Sequence, residues 1–180
     1  MRHILRTLVA LLILVVLPAQ AGMRLTLVMV TPEQFSHLKG DESALAKTLF
    51  ESPSDVALEM DKEWHGIHYL LTGEPWSAQG ILGQVVLGGA EFGLDIGYGP
   101  ARYLNPRQVS EIASALKNVP IEKFKGRYDA KAMMKADIYP TIWEREGQEG
   151  LKWLVSGLEQ LNDFYNRAAA QGKGVILAIL

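Results

Sequence analysis

Apolar positions along the chain fall into unbroken runs and helical stripes, and the two kinds predict different elements. The first run, Leu8 to Leu17, follows Arg2 and Arg6 and is closed by Pro18 and Ala19-Gln20-Ala21. It is shorter than the roughly 20 residues a membrane span needs, and it has no polar face. A basic start, a short apolar run and an A-x-A site read as a secretory signal peptide over residues 1–21, cut after Ala21. Leu25 to Val30, rich in β-branched residues, predicts a buried strand. Val175 to Ile179 predicts another, central and covered on both faces. Gln84-Val85-Val86-Leu87, ended by Gly88-Gly89, predicts a short strand, and Ala101 to Leu104 an extended segment. Between these two lies a glycine-dense loop through Gly93, Gly97 and Gly99.

The stripes predict helices with recognisable ends. Thr31-Pro32-Glu33-Gln34 has an N-cap, a proline at the first helical position and a capping-box glutamine, and Gly40 stops that helix. Asp41 starts a second through Ala44, Leu45 and Leu49. Asp61 is suited to cap a third over Lys62 to Thr72, with Trp64, Ile67, His68 and Leu71 on one face and Gly73 as its stop. Asn105-Pro106 opens a fourth that carries Val109, Ile112, Ala113 and Leu116. Two short helices flank Tyr128-Asp129, and Tyr139-Pro140 breaks the pattern. The longest helix spans about Gly150 to Gln171 and stops at Gly172. The irregular order of strands and helices argues for an α+β fold. The expectation is a single compact domain over residues 22–180, with a small mixed sheet flanked by several helices including a long C-terminal one.

Composition narrows the chemistry. The chain has no cysteine, which removes disulfides, thiol nucleophiles and a lipoprotein anchor. Its formal charge is −2, and loss of Arg2 and Arg6 with the leader takes it to −4. Lys and Arg are scattered, so no nucleic-acid partner is expected. The chain contains no P-loop, no G-x-S-x-G elbow and no H-E-x-x-H. Gly88-Gly89-Ala90-Glu91-Phe92-Gly93 departs from a dinucleotide fingerprint, and no cofactor is expected.

Two constellations can still carry chemistry. His65 and His68 stand three apart on the third helix, Asp61 precedes His65 by one turn, and Tyr69 follows. A carboxylate beside an imidazole orients it for acid–base work. The same residues read equally well as a cap and a core histidine. A metal site needs at least three protein ligands. His37 is the only other histidine outside the leader, and no metal is expected. The second constellation is Glu91, Asp95, Tyr98, Arg102 and Tyr103 around the glycine loop. Arg102 is suited either to a bidentate grip on an anion or to an internal pair with Glu91 or Asp95. The two constellations are expected to meet, with any pocket at their junction.

The segment Trp64-His65-Gly66-Ile67-His68-Tyr69-Leu70-Leu71-Thr72-Gly73 resembles the hallmark of the YfbM-like family, domain of unknown function 1877. Val86-Leu87-Gly88-Gly89 and Gly97-Tyr98-Gly99-Pro100-Ala101-Arg102-Tyr103-Leu104 resemble its second block. Arg127-Tyr128-Asp129 and Ile138-Tyr139-Pro140 with Trp143 resemble its third. The likeness runs from Gly22 to the C-terminus, and Gly22-Met23 resembles the start of intracellular members. The resemblance implies a bacterial protein of α+β fold and brings no catalytic residue with it.

The expectation for function is an exported protein, periplasmic or secreted, without a stable membrane anchor once the signal is cut. It would act as a non-catalytic binding module for a protein partner in the envelope or a small anionic ligand. The alternative is a small hydrolase or other enzyme built on the His/Asp pair.

Overall fold

The computed structural model describes residues 22–180. The expected signal peptide and its cleavage site lie outside the described residues. β1, Leu25–Val30, is a fully buried strand, as its apolar run requires. α1, Pro32–Leu38, opens on the complete Thr31/Gln34 capping box, and α2, Glu42–Glu51, is capped by the Asp41 carboxylate on the Ala44 amide. β2, Ala57–Met60, pairs with β1. β2 has no counterpart among the strands expected from sequence, because four residues of mixed polarity give no clear period.

α3, Glu63–Thr72, follows, and Gly73 ends it in the left-handed conformation at φ 82°. Lys62 rather than Asp61 is its N-cap residue, and no side chain caps it. The expected Asp61 cap is therefore not made. α3 is also buried almost all round rather than on one stripe, with Tyr69 and Thr72 alone only partly buried. Gly66 makes this possible: a Cβ there would lie 2.8 Å from the Trp143 ring and 2.7 Å from a Leu154 methyl. The close approach lets α3 press against the long helix behind it.

α4, Gly80–Leu87, takes the place of the strand expected at Gln84 to Leu87. A short apolar run is equally consistent with a buried helix, and here packing decides it. Val85 and Val86 enter the core, and the Tyr165 hydroxyl donates to the Val85 carbonyl at 2.7 Å. The glycine-dense loop is instead largely a strand, β3, Ala90–Asp95, which turns through Ile96 to Gly99 into β4, Pro100–Leu104. α5, Pro106–Lys117, opens at Asn105 as expected, and Gln108 completes a capping box there. α6, Ile121–Gly126, and α7, Ala130–Lys135, flank Tyr128-Asp129, with Asp129 capping α7. α8 begins earlier than expected, at Trp143, and runs to Ala170 with a break at Gly147, φ 52° and ψ −126°. β5, Gly174–Ile179, completes the fold.

The five strands run in the order β2-β1-β5-β4-β3. β5 is the central strand, as its apolar run predicted. Every pairing is antiparallel, so the sheet is not mixed. β1 and β5 antiparallel need no helical crossover between them in the sheet's plane, and the helices fill the space outside it. One face of the sheet, through Leu25, Leu27, Val175 and Leu177, packs on α3 to α8. The other, through Val28, Val30, Ile176 and Ala178, packs on α1 and α2. Among the described residues no helix is long and apolar enough to cross a membrane.

Candidate functional site

α3 places both histidines inside the protein. His65 is 0% exposed, and both ring nitrogens are engaged. Its Nδ1 accepts from the Tyr139 amide at 3.0 Å, which leaves the proton on Nε2, 2.8 Å from the Pro75 carbonyl. Burial holds its pKa below the usual imidazole value, against the opposing pull of the Pro75 bond and the Asp137 charge. His68 is also 0% exposed, and neither ring nitrogen has a partner among the described residues. Burial, and then the nearby His65, push its pKa down to about 4. Both rings are therefore neutral at pH 7. Asp61 is exposed, and His65's two nitrogens bond to other groups, so the expected Asp61–His65 pair is not formed. Tyr69 is partly buried, and its carbonyl accepts from Gly73 at 2.7 Å.

His65 instead organises the loop after α3. Its bond to Pro75 holds that loop, and its ring lies 4.1 Å from the Trp76 ring. Trp76 is 58% exposed. This residue was missed in the sequence. The available signal was a lone tryptophan in Glu74-Pro75-Trp76-Ser77, off any apolar stripe.

The second constellation is divided by the sheet. Cross-strand partners share a face. Glu91, Arg102 and Leu177 are register partners in turn, and continue to Leu27, on the face toward α3 to α8. Ala90, Tyr103, Ile176 and Val28 form the neighbouring row on the other face. Tyr103 is stacked on Phe35 there, ring centroids 3.6 Å apart, and burial and the Glu33 charge raise its pKa. It is packing for α1. Asp95 accepts from the Gly97 and Gly99 amides, both at 3.0 Å, and these bonds lower its carboxyl pKa. It pins the β3–β4 turn. The Tyr98 amide donates to the Ile179 carbonyl at 3.0 Å, and the residue is 57% exposed.

Arg102 uses one amino group on the Leu87 carbonyl at 3.0 Å and the other on Glu91 at 2.6 Å. This is the internal pair weighed from the sequence. It is a partly exposed pair, and such pairs contribute about 0–1 kcal/mol. Glu91 thus occupies one arm of the guanidinium fork weakly.

Arg102, Trp76 and Tyr98 surround one cleft of about 390 Å³. Its floor is apolar, from Leu25, Val86, Leu177 and Ile179. It sits where the loop after α3 and the β3–β4 turn come together, beside the second constellation, and no residue of the first lines it. The link to the first runs through Trp76; His65 stands behind that ring, and neither histidine lines the cleft. Its volume falls within the usual range of small-molecule sites, about 300–1,000 Å³.

A five-stranded antiparallel sheet between two helical layers, with an aromatic-rimmed cleft at one end, defines the chain as an α+β protein with a preformed recess. The chain belongs to the family described as domain of unknown function, DUF1877, whose model matches residues 21–178. Its fold is similar to that of YfbM from Escherichia coli, solved as a protein of unknown function. The TM-score is 0.73 at 21% identity, over 88% of this chain and 100% of that one. A comparison with curated proteins finds no match.

Proposed function

We propose that this is an exported, non-catalytic binding module whose cleft takes a carboxylate group beside a planar or apolar body. The ligand is a small anionic molecule or an acidic segment of an envelope protein. One observation carries the reading: Trp76 and Tyr98 stand more than half exposed at the mouth of a cleft that has an apolar floor and Arg102 in its wall. Exposed aromatic rings contribute binding through large rigid surfaces. Glu91 already presents a carboxylate to Arg102, and a ligand carboxylate can replace it at small cost because the pair is partly exposed. No imidazole or carboxylate lines the cleft among the described residues. Acid–base work there has no obvious agent. Export to the periplasm or beyond rests on the leader pattern of residues 1–21.

The binding claim is tested by thermal shift with a panel of aryl carboxylates and short acidic peptides. A binder should raise the melting temperature of the parent. Trp76→Ala and Arg102→Gln should each abolish that rise while melting within a few degrees of the parent alone. A response that survives both substitutions overturns the assignment of the cleft. N-terminal sequencing of exported protein should begin at Gly22; intact Met1 in the cytoplasm would sink the export claim.

A further inference from the structure

A second recess lies between the C-terminal end of α3, α4 and the α5–α6 connection. It has a volume of about 190 Å³. Leu70, Leu71 and Phe124 are buried beneath it, at 0%, 3% and 1% exposure, and Ile81, Leu82 and Val119 contribute to its walls. Lys123 and Arg127 stand in its lining, and no carboxylate of the described residues does. Neither cation forms an ion pair with the carboxylates of the described residues: Lys125 takes Glu122, and Asp129 caps α7.

Arg127 is fixed at this position by α3 itself. One amino nitrogen donates to the Leu70 carbonyl at 2.8 Å and to the Leu71 carbonyl at 2.7 Å. These are unpaired carbonyls of a helix end, which carry a partial negative charge. They offset part of the Arg127 charge and hold its guanidinium in place. The charge of Lys123 is not offset in this way. An apolar recess with two positive groups in its lining lacks a negative counterpart.

We infer that this recess is a binding site for a small carboxylate with an apolar body, seated on Leu70, Leu71 and Phe124 with its charge at Lys123 and Arg127. The volume lies below the usual range for drug-sized ligands, about 300–1,000 Å³, and so selects a short aliphatic or single-ring acid. The carboxylate completes the charge pattern, and a guanidinium already fixed by backbone bonds loses little freedom in meeting it. An amine of the same shape meets two like charges. An alcohol gains the apolar contact alone.

Octanoate, octanol and octylamine are the probes, titrated below micelle formation into protein of residues 22–180 and followed by calorimetry and amide NMR. Octanoate should bind at submillimolar concentration, with shifts centred on Leu82, Val119 and Lys123. Octanol should bind at least tenfold more weakly, and octylamine more weakly still. Lys123→Glu, an exposed change that leaves the melt intact, should weaken octanoate at least tenfold. Trp76→Ala disables the separate first cleft, and in it the octanoate-induced shifts at Leu82, Val119 and Lys123 should persist with the same midpoint. Equal binding of the three probes, octanoate binding no tighter than millimolar, or insensitivity to Lys123→Glu would each overturn the site. So would loss of the shifts at Leu82, Val119 and Lys123 in Trp76→Ala, which would place octanoate in the first cleft alone.

Discussion

At the residue scale, the two histidines differ in what burial asks of them. His65 is neutral and doubly bonded, and serves as a bracket between the Pro75 loop and Tyr139. His68 is neutral and without a partner among the described residues, so its burial contributes no hydrogen bond in return for desolvation. Its pKa, pushed down to about 4 by burial, couples folding to pH. Between about 6.5 and 4 the unfolded chain binds a proton that the folded chain refuses. Stability from this group is therefore complete above the unfolded value and falls as pH drops through that window, by about 3 kcal/mol in all. His65 acts in the same sense. Glu63 acts in the opposite one: burial raises its carboxyl pKa, so its contribution is regained as pH falls toward the ordinary carboxylate value. His68→Leu isolates the first effect. Urea melts at pH 7 and pH 5 should show the parent losing more stability on acidification than the variant. At pH 7 the variant should match or exceed the parent. An unchanged pH difference would show that His68 is not the proton acceptor.

At the element scale, α3 is held from all sides. Trp64 donates to the Met23 carbonyl at 3.0 Å, Gly66 admits α8, and Arg127 closes the C-terminal carbonyls. Gly66→Ala forces a methyl against Trp143 and Leu154, and overpacking of this kind costs about 1–3 kcal/mol. Arg127→Ala leaves the Leu70 and Leu71 carbonyls without their charged donor and should cost about 1–3 kcal/mol as well. The two sites adjoin one helix, so a denaturant melt of the double variant should depart from additivity. Losses below about 0.5 kcal/mol for either single variant would show that α3 is less constrained than its contacts indicate. Several residues that carry the family resemblance act here as architecture. Tyr128 donates to the Gly147 carbonyl at 2.6 Å, at the break in α8, and the Trp143 indole donates to Ile138 at 2.7 Å.

At the scale of the whole molecule, stability should be graded across the sheet. β1 and β5 are central and buried, whereas β3 is an edge strand whose residues are mostly exposed. Exposed edges open locally at low free energy, and core strands open with the whole fold. Amides of Leu27 and Leu177 should exchange with deuterium at the rate set by global unfolding, while those of Phe92 and Leu94 exchange orders of magnitude faster. Equal protection along β3 and β5 would contradict this order. The first cleft lies between these regimes, with Leu177 on its floor and the β3–β4 turn on its rim. Its rim can adjust to a ligand while its floor stays fixed.

Much of this architecture was written locally. Thr31 and Gln34, Asp41, Asn105 and Gln108, and Asp129 each start a helix through bonds within three residues, and Gly73 ends one by its own backbone freedom. Such choices depend on near neighbours, so the sequence alone determined them. The unbroken apolar run at the chain end likewise determined that β5 is central, since only a strand covered on both faces has use for it. Other choices belonged to the tertiary structure. Gln84 to Leu87 is apolar enough for strand or helix, and the packing of α3, α5 and Tyr165 selects the helix. Arg102 and Tyr103 are adjacent in sequence and point to opposite faces, and only the register says which one reaches the cleft. His65 meets Tyr139 across 74 residues, and Arg127 meets Leu70 across 57. A hydrogen bond of that span leaves no local period or spacing, because its partners are brought together only when the helices and sheet have packed.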